Sequence, residues 1–387
     1  MTWRARWPLA AGLAAGVALD ALLGDPRRGH PVAAFGRAAA ALEARDYADT
    51  RLRGAVHAAA CVLAVVAPAA AMHRRTRSRP PLEAAAAALA VWAVTGARSL
   101  HHEAERAAVA LDGNDLRAAR QVLPSLCGRD PAGLNAKEIS RAVIESVAEN
   151  TSDAIVAPLL WGAVAGLPGL AAYRAVNTLD AMVGHRSPRY LRFGWASARL
   201  DDVANWIPAR VTAALTIACA PAVPTPRSPW GDNPSQTPPA PGGTHLLRLL
   251  LEETYPRRPP LGGEPFSSDP LGPLEVPPPG ESAPSPPAGG RPAFASAASA
   301  WRAVLRYGKR HPSPNAGRCE AAFAGALDVR LGGANVYGGV TEIRPELGEG
   351  RAPEPDDIRR AIRLSRAVTV AAAGLAVLVA LARPRRA

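Results

Sequence analysis

Apolar stretches rich in Ala, Leu and Val alternate with polar, Arg-bearing segments along most of this chain. Because a membrane-spanning helix needs about 20 mainly apolar residues, this alternation predicts helices that cross a bilayer or lie deeply buried. The predicted apolar helices are Trp7 to Leu23, Gly54 to Met72, Leu82 to Ala97, Ala154 to Tyr173, Val211 to Val223 and Ala367 to Ala382. The second and fourth are long enough to span, whereas the others are short or rich in Ala. We interpret the first as a retained helix, since no small-x-small cleavage site follows it.

Polar helices are predicted between these apolar stretches. The segment from Lys137 to Asp153 is the clearest, because its apolar side chains recur every four residues and its acids fall on the other face. The apolar positions are Ile139, Val143 and Val147, and the acids are Glu138, Glu145 and Glu149. The segment from His101 to Val122 also has helical spacing. Within it, His101-His102-Glu103 lacks the spacing of a zinc motif and is interpreted as a solvated helix face.

A Pro-rich stretch divides the chain into three parts. Residues 221–292 hold 21 of the 39 prolines, and sequence of this kind cannot bury a core, so we predict a disordered linker. It separates a membrane helical region, 1–220, from a C-terminal region, 293–387. Hydrophobic residues make up 48% of the chain but aromatic residues only 5%, which favours packed helices over sheets. The predicted fold is an all-α, polytopic membrane helical bundle in which polar helices and loops carry the site.

The positive charge of the chain is almost entirely arginine. The formal net charge is +12, and Lys137 and Lys309 are the only lysines. The arginines cluster at the ends of apolar segments, as in Arg74-Arg75-Thr76-Arg77-Ser78-Arg79, rather than in the aromatic-interleaved stripe of a nucleic-acid-binding protein. We therefore predict no nucleic-acid partner. Membrane proteins keep such charge on the cytoplasmic side, so a multi-pass cell-membrane protein with a cytoplasmic active site is expected.

Two acidic, amide-bearing blocks carry the candidate chemistry. The first contains Glu145, Glu149, Asn150 and Asp153, and the second is Asp201-Asp202-Val-Ala-Asn205. Glu145 and Glu149 lie one helical turn apart, where like charges repel. Acids beside membrane-like sequence are costly to bury and are therefore functional candidates. Their oxygen atoms suit Mg²⁺.

Further polar groups lie near these blocks. Asn177 and Asp180 form a third acid–amide pair upstream of the second block, and flanking Arg199 and Arg210 could hold phosphate. Three loops complete the candidate set: Asp25 with His30, Ser313 with Asn315, and the Gly-rich run that contains Asn335 and Tyr337. The Gly-rich run is either a tight turn or a backbone cradle for an anion, and it lacks the ending of a P-loop. The four cysteines form no CxxC pair and are interpreted as small buried hydrophobes.

The quoted strings resemble the CobD/CbiB family of adenosylcobinamide-phosphate synthases. The matching strings are Leu23-Gly-Asp-Pro26 with His30-Pro-Val32, Gly128-Arg-Asp130, Glu145 to Asp153, Ala175 to Asp180, Phe193 to Asn205 with Ile207-Pro-Ala-Arg210, Ser313-Pro-Asn-Ala-Gly317, and Gly325 to Gly339. The resemblance covers nearly the whole chain outside the Pro-rich stretch. The string from Trp195 to Arg210 is the most specific part of it.

The resemblance implies an ATP-dependent amide ligation in cobalamin biosynthesis, in which (R)-1-amino-2-propanol or its phosphate joins a propionate of adenosylcobyric acid. On this basis ATP and Mg²⁺ are the expected cofactors. The expected partners are the corrinoid substrate, the amine and the lipid bilayer, with other membrane enzymes of the pathway as further candidates. Glu145, Glu149, Asp153, Asp201 and Asp202 are expected around Mg²⁺-ATP. Asn150, Asn177, Asn205, Asn315 and Asn335 would position amides or nucleotide, and Asp180 and His30 are candidate bases for the amine.

One difficulty concerns the stretch from Ala154 to Tyr173. If it crosses the bilayer once, Asp153 and Asn177 face opposite sides and the site is split. Pro and Gly residues interrupt the stretch, so a re-entrant or broken helix packed within protein is the alternative.

Two other functions stay open at this stage. A membrane prenyltransferase-like enzyme could use Asp180 and Asp201 to bind Mg²⁺-diphosphate. A non-catalytic scaffold could instead hold other corrinoid enzymes at the membrane.

Overall fold

The computed structural model describes residues 7–25, 29–185, 187–223, 293–337 and 340–383. Nearly all of the predicted Pro-rich linker and the side chain of Tyr337 lie outside the described residues, so those predictions remain predictions. The described part of the chain is almost entirely helical, and the all-α prediction is confirmed apart from one short β-hairpin.

Helices account for the predicted apolar stretches, but the last begins at Pro355 instead of Ala367 and the stretch from Ala154 to Tyr173 is divided between two helices. The α-helices are α1 Trp7–Leu23, α2 Pro31–Asp46, α3 Arg51–Thr76, α4 Pro80–Val94, α5 Ala97–Asp112, α6 Leu116–Val122, α7 Ala136–Thr151, α8 Ala157–Ala165, α9 Leu167–Leu179, α10 Tyr190–Phe193, α11 Trp195–Ala204, α12 Trp206–Cys219, α13 Ala293–Tyr307, α14 Ala316–Leu327 and α15 Pro355–Ala382. The predicted helix from His101 to Val122 is instead two, because Asn114 has a positive φ of 55° and Asp115 caps α6.

The Gly-rich run forms a strand rather than a loop. Strand β1, Leu331–Tyr337, pairs antiparallel with β2, Val340–Leu347. Gly332 and Gly333 have φ near +87°, a backbone conformation that only Gly adopts readily, and the register shifts at this point. The predicted left-handed backbone of these glycines is therefore confirmed, but they lie at a bulge within a strand and not in a tight turn.

Helices α1 and α4 run side by side in the same direction. Gly12 lies against Ala84 near their N-terminal ends, and Trp92 donates its indole N–H to the Gly24 carbonyl near their C-terminal ends, at 2.8 Å. The missing side chain at Gly12 allows this close approach, as small residues commonly do between membrane helices.

Helices α8 and α9 form a tight helical hairpin. The chain turns at Gly166, whose φ is +68°, and Gly169 then packs against the Trp161 backbone. The stretch from Ala154 to Tyr173 is therefore two helices and not one, and the broken-helix alternative is confirmed. Because the chain returns, Asp153 and Asn177 lie together, and the Asn177 amide is 3.4 Å from an Asp153 carboxylate oxygen.

The long helix α15 lies at the centre of the helical core. Its buried face contacts α1, α5, α7 and α8. Ser365 on this face lies 2.9 Å from His101 Nε2 and 2.7 Å from Thr151 Oγ1. His101 is buried, so the prediction of a solvated face there was wrong. Its ring is instead one of the few polar groups that tie α5 to the core, because a buried polar group needs a partner.

Three of the described helical segments are long and apolar enough to cross a membrane: Arg51–Thr76, Pro80–Asp112 and Pro355–Ala382. The pair Trp195–Ala204 and Trp206–Ala222, bent by 44°, could form a fourth, and Trp7–Leu23 is a shorter apolar helix. Only 17% and 28% of the most apolar 18-residue windows of the first two segments are buried within the protein, so most residues there are exposed or half-buried, as expected of helices facing lipid.

A single added methyl group in the turn between α8 and α9 is expected to lower the stability of the protein. In Gly166→Ala, the new Cβ would lie 3.0 Å from the His73 ring with φ at +68°, so we expect a loss of about 1–2 kcal/mol of stability. Thermal unfolding in detergent micelles measures this. Gly374→Ala is the matched control, because nothing lies within 4 Å of its Cβ position and Ala favours helix by about 0.5–1 kcal/mol. Equal destabilisation of both variants would contradict the role of Gly166.

Candidate functional site

Five carboxylates from four segments line one cavity of about 180 Å³. They come from the end of α7, the turn before α8, the turn after α9, and α11. The acids are Glu149, Asp153, Asp180, Asp201 and Asp202, and the cavity is also lined by Ser152, Asn205, Ser313, Asn315 and Cys319. The structure thus brings together the acids that the sequence placed in separate blocks, with the exception of Glu145.

Two short π-helical turns present two of these acids to the cavity. Ser152–Val156 contains Asp153, and Asp180–Gly184 begins with Asp180. Pro158 follows the first turn and has no N–H to continue the regular hydrogen-bond ladder. Instead the N–H of Ala157 bonds to the Ser152 carbonyl five residues back. Such widened turns occur often at functional sites, and here they rotate a carboxylate out of the helix register.

Amide side chains bridge the carboxylates. The Nδ2 of Asn177 lies 3.4 Å from Asp153 and 3.3 Å from Asp201. Asn205 donates to the other oxygen of Asp201 at 3.0 Å and accepts from the Tyr173 hydroxyl at 2.8 Å. Asp153 and Asp201 are thus held in place by neutral donors, which leave their negative charges uncancelled.

The loop before α14 closes one side of the cavity. Asn315 donates to the backbone carbonyl of Asp202 at 2.8 Å, and Ser313 Oγ accepts from the N–H of Asn315 at 3.3 Å. Arg210 lies over the Trp206 ring at 4.0 Å and reaches Asn315 Oδ1 at 3.5 Å. The loop is therefore tied to α11 and α12 by polar contacts at the cavity rim.

Crowding of like charges raises the pKa values of the cavity acids. Burial raises the pKa of Asp180 to about 7, with further contributions from Asp201, Asp202 and Glu149. Burial, followed by Asp201 and Glu149, raises the pKa of Asp153 well above its ordinary value. Glu149 is accessible from the cavity, yet surrounding protein removes part of its hydration, and this with Asp201 raises its pKa too. Protonation or a bound cation would relieve the repulsion.

The chemistry of the donor set fits a hydrated Mg²⁺ ion. In the described part of the chain, no three His, Cys, Asp or Glu side chains converge closely enough to enclose a metal. Mg²⁺, however, usually keeps several waters and binds through one or two carboxylates and substrate phosphates. Glu149, Asp153, Asp201 and Asp202 are the residues that would hold it, and the ion would neutralise phosphate charge during transfer.

Glu145 is placed elsewhere, so it does not belong with the predicted metal ligands. Its carboxylate forms a buried ion pair with Arg129 and accepts from the Gly332 N–H at 2.7 Å. Arg141 lies 4.0 Å away. Because these partners occupy its oxygens, Glu145 connects α7 to the β-hairpin rather than facing the cavity.

The remaining predicted residues lie around the cavity without lining it. His30 Nδ1 accepts from the Val32 N–H at the start of α2, and its other ring nitrogen is 4.0 Å from Asp25. Asn150 donates to the Ser146 carbonyl at 2.9 Å. Arg199 is an exposed residue 3.4 Å from Asp202.

Asn335 is buried in β1, where its Oδ1 accepts from Arg141 at 3.3 Å. Asn335 therefore belongs to the contact between α7 and the β-hairpin that also contains Glu145. Asp25 interacts electrostatically with Arg174, which links the first loop to the cavity indirectly.

Several site residues escaped the sequence-based prediction. Arg174 donates to Asn177 at 3.4 Å and interacts electrostatically with Asp153. Arg344, from β2, acts on Glu149 and lies 3.4 Å from His311 Nε2. Arg174 stands one turn before Asn177, a spacing that could have indicated it, but nothing in the sequence relates Arg344 to the acidic blocks.

Comparison with known proteins identifies relatives along nearly the full chain. Residues 13–365 match the family model described as CobD/Cbib protein. A Mycobacterium tuberculosis protein called Cobalamin biosynthesis protein CobD is 45% identical over 378 residues, covering 98% of this chain and 97% of the relative. Proteins of the same name from Geobacter metallireducens and Rhodobacter capsulatus are 37% and 34% identical, covering 87% and 96% of this chain and 86% and 96% of their own. No solved structure matches.

The raised pKa of Asp180 predicts a pH-dependent stability. Between its ordinary value of 3.8 and about 7, the folded protein binds more protons than the unfolded chain. The free energy of unfolding therefore falls as pH rises through this window. In EDTA, we expect Asp180→Asn to reduce the loss of stability between pH 5 and pH 8 by on the order of 2 kcal/mol.

Thermal unfolding in detergent at the two pH values measures this difference. The exposed Glu346→Gln change is the control and should leave the pH dependence as it is in the parent protein. An unchanged pH dependence in Asp180→Asn would contradict the assignment.

Proposed function

The chain belongs to the CobD/CbiB family of cobalamin biosynthesis proteins, and from this membership we propose that it is an ATP-dependent amide synthase. In the proposed reaction, (R)-1-amino-2-propanol or its phosphate is joined to a propionate carboxylate of adenosylcobyric acid. The product is adenosylcobinamide or its phosphate. The observation that supports this proposal best is the cavity in which five carboxylates meet without compensating cations among its lining residues.

The chemistry explains why such a cavity is useful. A free carboxylate is a poor electrophile, so the propionate must be activated before an amine can attack it. In the proposed sequence, a propionate oxygen attacks the γ-phosphorus of ATP and ADP leaves. The amine nitrogen then displaces phosphate and loses one proton as the amide forms. Phosphate transfer of this kind depends on positioning and on cations that offset developing charge.

The residues around the cavity divide into three proposed roles. Glu149, Asp153, Asp201 and Asp202 would hold Mg²⁺ with the nucleotide phosphates. Arg210 and Arg199 lie at or near the rim and would contact phosphate, since a guanidinium binds phosphate through paired hydrogen bonds. Asn177, Asn205 and Asn315 would orient the carboxylates and the substrate amides. Asn150, Asn335 and Tyr337 remain candidates for contacts farther from the cavity.

Asp180 is the better placed of the two candidate bases for the amine. It lines the cavity beside Asp201 and Asp202, whereas His30 caps α2 and does not line it. A general base must lie within hydrogen-bond reach of the proton that it removes. We therefore assign the base role to Asp180.

The orientation in the membrane follows from where the cavity lies along the helices. The Arg-rich turn between α3 and α4 is at one end of α3, near Arg383. Leu179, one residue before Asp180, shares an apolar cluster with Ala58 and Cys61 towards the other end. The Arg-rich turn and Arg383 therefore lie at one end of α3, and the cavity lies towards the other end. The sequence predicts both the Arg clusters and the active site on the cytoplasmic side, and these two expectations conflict. Because ATP is cytoplasmic, we propose that the cavity end faces the cytoplasm.

Genetic and biochemical tests address the proposed reaction. A deletion strain should be rescued by cobinamide but not by cobyric acid, and equal rescue by both would contradict the ligase proposal. Purified protein with ATP, Mg²⁺, cobyric acid and the amine should form product. Asp201→Asn should lower turnover by about 100-fold or more, because it removes a charged group that acts on the phosphates.

A matched control separates catalysis from scaffolding. Glu346→Gln removes an exposed carboxylate of the β-hairpin, and it should retain parental turnover. If Asp201→Asn is expressed and folded, and still supports normal cobalamin synthesis, the protein acts as a non-catalytic scaffold instead.

Labelling of introduced cysteines in intact cells tests the orientation. Ser78→Cys lies in the turn between α3 and α4, and Asp49→Cys lies before α3, at its opposite end; both positions are exposed. With a membrane-impermeant maleimide, we expect Ser78→Cys to be labelled and Asp49→Cys to be protected until the cells are lysed. The parent protein measures the background from its four native cysteines. The reverse pattern would contradict a cytoplasmic cavity.

A further inference from the structure

A second and larger cavity lies between α3, α4 and α9, away from the carboxylates. Its volume is about 540 Å³, three times that of the carboxylate cavity. Ala69, Met72, Leu82, Ala86, Leu89 and Leu170 are among the residues that line it. Small Ala side chains on α3 and α4 leave the space, and larger Leu side chains form its walls. Because α3 and α4 are candidate spanning segments, this groove would face the hydrocarbon of a bilayer.

One end of the groove lies beside a dense group of arginines. Met72 and Thr76 line the groove at the end of α3, and Leu82 lines it at the start of α4. The turn between them carries Arg74, Arg75, Arg77 and Arg79, here called the turn arginines, and all four are exposed. Glu83 is the single acidic residue between Arg51 and Arg98, so the charge at this end of the groove is strongly positive.

Within the described residues, the turn arginines have no carboxylate partner, since none of the four guanidinium groups lies in a salt bridge there. Arg383, at the C-terminal end of α15, is close enough to His73 to act on it electrostatically, and it adds to the positive charge. Clustered basic residues next to a spanning helix attract anionic lipid.

We propose that the groove binds an acyl chain of an anionic phospholipid whose phosphate headgroup pairs with the turn arginines. The acyl chain fills the groove whatever headgroup it carries, so its burial does not discriminate between lipids. The headgroup therefore decides which lipid is bound, because phosphate accepts charge-assisted hydrogen bonds from Arg while a zwitterionic headgroup adds a compensating positive charge. The groove accommodates the acyl chain, and the turn arginines select the headgroup.

The proposed lipid would also contact the helical hairpin that carries part of the carboxylate cavity. Leu167, Leu170 and Ala171 of α9 line the groove, and the same helix presents Asn177 to Asp153. A bound lipid would therefore pack against α3, α4 and α9 together and raise the stability of the whole protein by mass action.

Native mass spectrometry of the full-length protein in detergent tests the proposal. The probes are dioleoyl phosphatidylglycerol and dioleoyl phosphatidylcholine. We expect phosphatidylglycerol to bind at least about tenfold more tightly and to raise the midpoint of thermal unfolding. Arg75→Gln/Arg77→Gln should lower phosphatidylglycerol binding to the level of phosphatidylcholine. Arg117→Gln, an exposed change in α6 beyond the far end of the Pro80–Asp112 segment, should leave the preference unchanged.

Four results would overturn the proposal. Equal binding of the two lipids to the parent protein would remove the role of the headgroup, and an undiminished preference in the double variant would remove the role of the turn arginines. Inorganic phosphate that protects against thermal unfolding as well as phosphatidylglycerol would show that the acyl chain is not needed. Ala86→Phe, which fills the groove without changing charge, should weaken binding of phosphatidylglycerol, and unchanged binding would exclude the groove as the site.

Discussion

Repulsion among the carboxylates of the cavity is the constraint on which the rest of the structure depends. Five acids from separate segments line about 180 Å³, and burial there weakens the hydration that would normally stabilise their charges. Two of them, Asp153 and Asp201, are held by the side-chain amides of Asn177 and Asn205, and Asn205 in turn accepts from the Tyr173 hydroxyl. Such neutral donors fix geometry without cancelling charge, as the proposed Mg²⁺-nucleotide site requires.

The fold solves the problem of bringing these acids together beside apolar helices. The chain enters the helical core through α8, turns at Gly166 and returns through α9, so that both ends of this hairpin meet at the cavity. The loop before α14 closes the site from the C-terminal region through Asn315, and Arg344 of the β-hairpin acts electrostatically on Glu149. These contacts bring to one site segments that are separated in sequence by more than 100 residues, which include the Pro-rich stretch.

Local patterns identified most of the helices and most of the cavity acids. Apolar length located α3 and α15, and the spacing of Ile139, Val143 and Val147 located α7. The sequence-based predictions failed where residues distant in the sequence determine the environment of a side chain. Glu145 lies one helical turn from Glu149, which suggested the same role for both acids. The Glu145 carboxylate instead pairs with buried Arg129 and accepts from the Gly332 N–H. His101 had the appearance of a surface residue, but Ser365, on a helix more than 250 residues away, buries and bonds it.

The sequence by itself determined the helical class, the apolar segments, the acidic blocks and the family to which the chain belongs, because these depend on residue type and short-range spacing. The tertiary structure decided which acids share a cavity, since side-chain proximity depends on how helices pack and where the chain reverses. It also decided that the interrupted apolar stretch returns instead of crossing, because one Gly with a positive φ reverses the helix direction. The groove beside the turn arginines likewise exists only in the packed arrangement of α3, α4 and α9.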